Sequence, residues 1–285
     1  MKTVRFKQVD VFTATPFKGN PVAVVLEGKS LEETEMQQIA AWTNLSETTF
    51  VLPPVSSSAD YRLRIFTPRH ELPFAGHPTI GSAHAVLEAG LVTPKDGKFR
   101  QECGAGVLEL SSENGLLWVK APPARVLSFD KEKLPELEDA LGCKVVSSPF
   151  SVNVGPTWLV ADVGSAEVLA RMPLDLRKIA QLSDALSVSG ITAFGKSADG
   201  QSAIHVRSFA PAQGIPEDPV CGSGNLSVAV FLVAAKQISN YGKKYKARQG
   251  MQLGRDGRVS LRIEDDDVYL GGEAVTCVEG SLRLE

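Results

Sequence analysis

Side chains able to move or hold a proton fall at two similar places in this chain. The stretch "EDPVCGSGN" (217–225) puts Asp218 and Cys221 just ahead of the apolar run "LSVAVFLVAAKQ". The stretch "FAGHPTIGSAHAVLEAG" (74–90) puts His77 just ahead of another apolar run. Helix N-termini carry unpaired N–H donors and a partial positive charge, and glycine lets a ligand approach the backbone closely. An acid, a thiol and an imidazole at such places suit acid/base chemistry on a bound carboxylate. Glu47, in "NLSETTFV", adds a carboxylate between a helical and an extended pattern. Each residue also has a plain structural reading: N-cap, packing thiol, hydrogen-bonded core histidine, solvated loop acid. What favours a site is their convergence at two glycine-rich helix entries. Pro219 follows Asp218 and Pro78 follows His77, which predicts that both residues stay in the entry loops.

Two other chemistries do not fit. His70, His77 and His84 recur every seven residues, but His70 precedes the turn and His84 lies about two turns inside the helix, so no shared metal ion is expected. "GSAHA" and "CGSGN" lack the Walker lysine and the G-x-G-x-x-G that follows a strand, so nucleotide binding is not indicated.

The elements that must hold these residues alternate irregularly. "PVAVVL" (21–26) reads as a buried strand. "SLEETEMQQIAAW" reads as a helix opened by a capping box from Ser30 to Glu33. "TTFVLP", "YRLRIF" and "LLWVKAP" read as strands, and the Pro pair in "APPARVLS" marks a domain boundary, giving domains 1–122 and 123–285 with the last strand free to return to the first. Beyond it come a helix at "KEKLPELEDALG", one strand or a strand pair in "SVNVGPTWLVADV", a helix at "LRKIAQLSDAL" and strands at "ITAFG" and "AIHVRSF". The tail from "RVSLRIE" onward reads as a β-meander. Strands in runs, without strict βαβ alternation, predict an α+β fold.

An internal repeat organises the whole. "RIFTPRHELP" (64–73) aligns with "RSFAPAQGIP" (207–216), and a three-residue insertion then sets Gly76 opposite Gly222, Ala75 opposite Cys221 and His77 opposite Ser223. Each half reads as helix, strand, strand, Pro-turn, Gly-rich entry, apolar helix. A helix apolar all round is buried on every side. Two pseudo-symmetric domains are therefore expected, each a mixed sheet around one central helix, with both helix mouths at an interdomain cleft.

Composition bounds the partners. The chain has 285 residues, 43% hydrophobic and 22% charged, with 30 basic and 33 acidic residues and a net charge of −3. No block of like charge stands out, so neither nucleic acid nor an anionic membrane is an expected partner. No apolar run approaches about 18 residues, and the N-terminus reads as a strand and not as a signal peptide. The four cysteines, 103, 143, 221 and 277, form no C-x-x-C pair and are expected as free thiols of a cytoplasmic protein.

Several of these stretches in this order resemble one family across essentially the whole chain. "VDVFTATPFKGNPVAVV", "NLSETTFV", "YRLRIFTPRHELPFAGHPTIG", "EDPVCGSGN" and "ARQGMQLGRDGRV" are similar to the phenazine-biosynthesis-like (PhzF-type) isomerases, relatives of diaminopimelate epimerase and proline racemase. The resemblance implies a diaminopimelate epimerase-like fold. It implies Glu47 as catalytic acid/base and His77 and Asp218 as substrate-holding groups. The backbone at Gly76, Gly222 and Ser223 would cradle a substrate carboxylate. Cys221 and Asn20 complete the candidate set. The superfamily's racemases use a cysteine at each helix mouth; here the first position is Ala75, so a two-thiol mechanism is not available. The expected activity is a cofactor-independent isomerisation that moves a proton within a small carboxylated molecule, with no metal, and a homodimer as the expected assembly. The alternatives are an epimerase pairing Cys221 with a non-thiol partner, and a binding or regulatory protein that keeps the fold without turnover.

Overall fold

The computed structural model describes residues 2–265 and 267–284. The chain forms two compact units, residues 1–120 with 271–285, and residues 121–270; the division falls just ahead of Pro122 and Pro123.

The N-terminal unit begins with β1 (Lys2–Val11) and β2 (Asn20–Val25), followed by α1 (Glu33–Thr43), β3 (Thr48–Leu52), β4 (Tyr61–Phe66) and the short β5 (Glu71–Leu72). Next come α2 (Gly76–Glu88), β6 (Lys98–Cys103), β7 (Gly106–Glu113) and β8 (Leu116–Lys120). The sheet is mixed: β1 pairs antiparallel with β2, β2 parallel with β3, β3 antiparallel with β4, and β4 parallel with β6. Helix α2 touches β1, β2, β3, β4 and β8. Its Gly81 lies so close to Val22 and Val11 that a Cβ there would stand 2.4 Å from Val22 Cγ1. The helix is therefore buried inside a curled sheet, as its lack of a polar face requires.

The C-terminal unit repeats this plan. It contains β9 (Arg125–Ser128), α3 (Leu134–Leu141), β10 (Phe150–Asn153), β11 (Thr157–Ser165), α4 (Ala166–Arg171) and α5 (Leu176–Ala185). These lead to β12 (Gly190–Lys196), β13 (Ile204–Ala210), β14 (Ile215–Asp218), α6 (Gly222–Ala234), β15 (Lys244–Gln249) and β16 (Gly257–Glu264). Here β11 runs parallel to β12, β12 antiparallel to β13, and β13 parallel to β15. Helix α6 touches β9, β10, β11, β12 and β16, and its Phe231 stacks edge-on against Phe194 at 5.4 Å. The fold class is α+β: two pseudo-symmetric units, each a mixed sheet around one apolar helix.

Three local expectations change. The capping box of α1 is built by Glu32 and Glu35, the Glu35 carboxylate accepting from the Glu32 N–H at 2.7 Å. Ser30 is already committed to a 3-10 turn, Gly28–Ser30, and cannot cap. His77 is not in the entry loop but is the second residue of α2. Pro78 follows in the first turn, where an amide N–H has no intrahelical acceptor, so the proline removes no bond and the pre-proline bias is overridden. The tail does not continue as a plain meander. After β17 (Asp267–Gly272), β18 (Ala274–Leu284) pairs antiparallel with β1 along its length.

Candidate active site

The two central helices match to the residue. Each has 13 residues, α2 starting at Gly76 with Ala75 as N-cap and α6 starting at Gly222 with Cys221 as N-cap. The parts that aim them are duplicated as well. Arg64 donates from Nε and Nη2 to the two Glu71 oxygens at 2.7 and 2.6 Å; Arg207 does the same to Glu217 at 2.8 and 2.8 Å. Each guanidinium also lies 5.0 Å from a ring, Phe66 and Phe209 respectively. Such forks fix the strand ahead of the helix against the short strand that feeds it. A third repeated contact seats the entry turn. A Cβ on Gly104 would stand 2.7 Å from Pro73 Cα, and one on Gly250 would stand 2.5 Å from the Pro219 carbonyl oxygen.

In the N-terminal unit the mouth of the helix holds a hydrogen-bonded carboxyl–imidazole pair. His77 Nε2 is 3.0 Å from the Asn20 carbonyl oxygen, and Nδ1 is 3.0 Å from Glu47 Oε2. The carbonyl can only accept, so Nε2 carries a hydrogen. The remaining hydrogen bond then contains a single proton. Either His77 is an imidazolium donating to a Glu47 carboxylate, or Glu47 is a carboxylic acid donating to a neutral ring. The side chain of His77 is 5% exposed and that of Glu47 17%. One partner is thus locked inside while the other keeps an open edge, the arrangement a proton shuttle needs. Glu47 lies in the loop directly before β3 and faces the helix mouth because the β2–β3 parallel pair starts beside it, the Ala23 N–H donating to the Glu47 carbonyl at 3.4 Å. Phe12, fully buried, lies against His77 with ring centroids 6.4 Å apart.

In the C-terminal unit the mouth is a hydrogen-bonded turn. Asp218 ends β14 and accepts the Val220 N–H on Oδ1 at 3.0 Å. Gln249 clamps the turn: its Oε1 accepts from the Cys221 N–H at 3.1 Å and from Asn225 Nδ2 at 2.9 Å, and its Nε2 donates to the Asp218 carbonyl at 2.9 Å. The Cys221 Sγ accepts the Gly224 N–H at 3.2 Å, an N-cap made by sulfur. Burial, reinforced by the Asp218 carboxylate, pushes the Cys221 thiol well above the ordinary thiol range. The shift favours the neutral thiol form. Trp158 Nε1 donates to Ser223 Oγ at 3.0 Å, and the same hydroxyl lies 3.5 Å from Cys221 Sγ. Among the described residues, the N–H groups of Gly222 and Ser223 meet no acceptor, so two helix-end donors remain for an anion.

Of the candidate residues, Glu47, His77 and Asn20 come together at one mouth, and Asp218, Cys221, Gly222 and Ser223 at the other. His70 and His84 go elsewhere, to Thr67 and to Thr276 with Glu88, and no group of three metal-ligating side chains gathers among the described residues. Two residues escape sequence reasoning. Gln249 is a single amide inside "ARQGMQLGRDGRV" with no chemical signature of its own, and Trp158 lies on a strand 65 residues from its partner.

Known proteins place this geometry. The model of the phenazine biosynthesis-like protein family (PhzC-PhzF) matches residues 9–280. The chain belongs to that family, and it is an enzyme of the isomerase type. Antisense-enhancing sequence 1 of Schizosaccharomyces pombe is 41% identical over 96% of this chain and 97% of its own. Trans-2,3-dihydro-3-hydroxyanthranilate isomerase of Pseudomonas aeruginosa is 35% identical over 97% of this chain and 95% of its own. Among solved structures, the Bacillus anthracis phenazine biosynthesis protein of the PhzF family superposes with a TM-score of 0.87 at 27% identity, covering 100% of both chains. No helix among the described residues is long and apolar enough to cross a membrane.

Proposed function

We propose that this protein isomerises a small cyclic carboxylate of the hydroxyanthranilate kind by moving one proton, without a cofactor. The observation that carries the reading is the Glu47–His77–Asn20 chain, which holds a single transferable proton behind one accessible carboxylate edge. The reaction is a 1,3-shift. Glu47 removes a proton from one carbon, the adjacent double bond moves, and the same carboxyl group returns a proton two carbons away. One C–H bond breaks and one forms, so the step is redox-neutral. His77 acts through Glu47: its Nδ1 proton stays in the hydrogen bond to Oε2 and holds the carboxyl group in place, while the substrate proton rides on the open oxygen of Glu47 until it is returned to carbon. The free amides of Gly222 and Ser223 bind the substrate carboxylate, with the Ser223 hydroxyl beside them, and Asp218 takes an amino or hydroxyl group. In this reading both helix mouths serve one substrate in a cleft between the domains. The support is their complementarity: one mouth has proton machinery, the other has unpaired anion donors.

The test is incubation of the full chain with trans-2,3-dihydro-3-hydroxyanthranilate and related small carboxylates in D2O, followed by NMR. Deuterium at a carbon two positions from the one that lost hydrogen, with a shifted double bond, is expected. Exchange with inversion at a single carbon would instead mean epimerisation. A second reading has one observation behind it: the relative at 41% identity is named for antisense enhancement and not for isomerisation. Tight binding of a carboxylate with no exchange at any carbon would favour that binding role.

A further inference from the structure

We propose that Phe12 is a positioning residue for the proton site: its ring, wedged between Gly272 and His77, sets the tilt of the imidazole and so the place of the Glu47 carboxyl group. The proposal rests on the reading of Glu47 as the proton carrier.

Phe12 follows directly on β1. It is fully buried, and its backbone stands at φ 65°. A bulky side chain at positive φ is an outlier that persists only where its surroundings over-determine it. The C-terminal unit shows the ordinary solution for this turn. Ala23–Thr48 and Leu159–Ile191 are matching strand pairs. Stepping back along β2 and β11 to the pairs Asp10–Pro21 and Asn153–Thr157 sets Phe12 opposite Gly155, whose φ is 113°. Glycine takes positive φ without a steric cost. The N-terminal unit instead puts a large aromatic side chain there, so the ring has a use that outweighs the backbone strain.

The surroundings show that use. On one side, the Phe12 and Thr13 N–H groups donate to the Glu273 carbonyl at 2.8 and 3.2 Å. Gly272 lies against the ring: a Cβ there would stand 2.4 Å from Phe12 Cδ1 and 3.4 Å from its Cα. On the other side is His77, with ring centroids 6.4 Å apart and planes inclined by 41°, within the range of aromatic contact. The hydrogen bonds at Nδ1 and Nε2 fix two atoms of the imidazole and do little against rotation about the line through them. Phe12 blocks that rotation. Because Phe12 is fully buried and His77 nearly so, it also keeps water from competing for the Nε2 hydrogen. The space left at Gly272 therefore governs the proton pair without residue 272 being part of it.

The experiment uses the full chain labelled with 15N-histidine. The chain has four histidines, so the ring signals are few, and His77→Gln assigns the one of interest. In the wild type the Nε2 hydrogen of His77 should be visible at low field and exchange slowly with water. Phe12→Leu should speed that exchange at least about tenfold, because the wall beside the ring is lost. Gly272→Ala adds one methyl group and should do the same by displacing the Phe12 ring. In the double variant the smaller leucine makes room for the methyl group, so the two effects should not add. Phe99→Leu, at a buried phenylalanine of β6, should leave the His77 signal unchanged at a similar loss of melting temperature. On an identified substrate, Phe12→Leu and Gly272→Ala should lower kcat by about tenfold to a hundredfold with KM within about threefold, since misplaced proton machinery costs rate and not affinity. Should Gly272→Ala not fold, Phe12→Leu against Phe99→Leu carries the comparison. Exchange at the wild-type rate in Phe12→Leu, an equal increase in Phe99→Leu, or unchanged kcat in Phe12→Leu overturns the proposal. A wild type that turns nothing over, while its His77 signal responds as described, would sink the Glu47 mechanism and still support the hold of Phe12 on His77.

Discussion

In the N-terminal unit Arg64 grips Glu71, and in the C-terminal unit Arg207 grips Glu217, with the same atoms and the same ring beneath. The two units then differ within one turn of helix. The pairs Thr48–Phe66 and Ile191–Phe209 put Glu47 opposite Gly190. Gly190 has no room for a side chain, since a Cβ there would stand 2.1 Å from the Phe209 carbonyl and 2.8 Å from the Trp158 ring. Where one unit has Glu47 hydrogen-bonded to His77, the other has Trp158 hydrogen-bonded to Ser223. The duplicated scaffold delivers a helix mouth twice, and the two mouths differ in content: a carboxylate and an imidazole fill one, an indole and a hydroxyl the other. In the proposed function that difference divides proton transfer from anion binding.

The largest expected effect breaks that division at Glu47. Glu47→Gln keeps size and hydrogen-bonding capacity but cannot act as a base, so turnover of an identified substrate should fall about 10²–10⁴-fold while ligand affinity is kept. Calorimetric binding alongside steady-state kinetics checks both halves of the statement. Full turnover in the Gln variant ends the reading of this mouth as the proton site.

The next effect contrasts the two clamps. Arg207 and Glu217 are nearly buried, their side chains 8% and 10% exposed, whereas Glu71 is 38% exposed and can rehydrate. Arg207→Met should cost about 3–5 kcal/mol, because it strands a buried carboxylate. Arg64→Met should cost about 1 kcal/mol or less. Urea denaturation of each variant measures the difference, and equal losses would mean that burial does not separate the clamps.

These clamps also show what the sequence hides. The repeat was visible because Arg, Phe and Pro recur at one spacing, and that spacing predicts the two glycine entries and the all-apolar helices. The partners of the arginines were not visible. Arg64 reaches Glu71 seven residues on, while Arg207 reaches Glu217 ten residues on, across the three-residue insertion. At the site, Glu47 and His77 are legible as residue types, but the third member of their chain is the backbone carbonyl of Asn20, which has no side-chain signature. Trp158 and Gln249 come from other strands, and only the parallel pairings β11–β12 and β13–β15 bring them to the helix mouth.

A smaller effect concerns pH and belongs to the N-terminal unit. His84, on α2, donates to or accepts from Thr276 at 3.1 Å and lies 3.8 Å from Glu88, with Lys7 also facing Glu88. Burial holds its pKa below the ordinary histidine value; Glu88 opposes this and Lys7 adds to it. The unfolded chain therefore binds the proton first as pH falls, so this group's contribution is present above about pH 6.5 and is lost as pH drops through the folded value. The slope it contributes cannot exceed one proton, about 1.4 kcal/mol per pH unit. His84→Gln should flatten the stability profile below about pH 6.5. An unchanged slope would place the acid sensitivity elsewhere.

The smallest effect on catalysis, and the sharpest use of the comparison, is at the two N-caps. Ala75 offers its helix no side-chain acceptor, while Cys221 caps Gly224 through sulfur. If Cys221 is a cap and not a catalyst, the variants should rank by capping ability. Cys221→Ser supplies an oxygen acceptor and should keep turnover within about a few-fold and stability near the wild type. Cys221→Ala copies the arrangement at Ala75 and should cost about 1 kcal/mol in stability, with turnover still within about tenfold. The raised thiol pKa adds an independent check. Alkylation proceeds through the thiolate, so in the native protein Cys221 should resist iodoacetamide at pH 8–9, where an ordinary exposed thiol reacts, and should be labelled only after unfolding. Peptide mapping by mass spectrometry separates it from Cys103, Cys143 and Cys277. A loss of turnover beyond about a hundredfold in the Ser variant, together with rapid native alkylation, would instead make Cys221 one arm of an acid/base pair with Glu47 and turn the isomerase reading into an epimerase one.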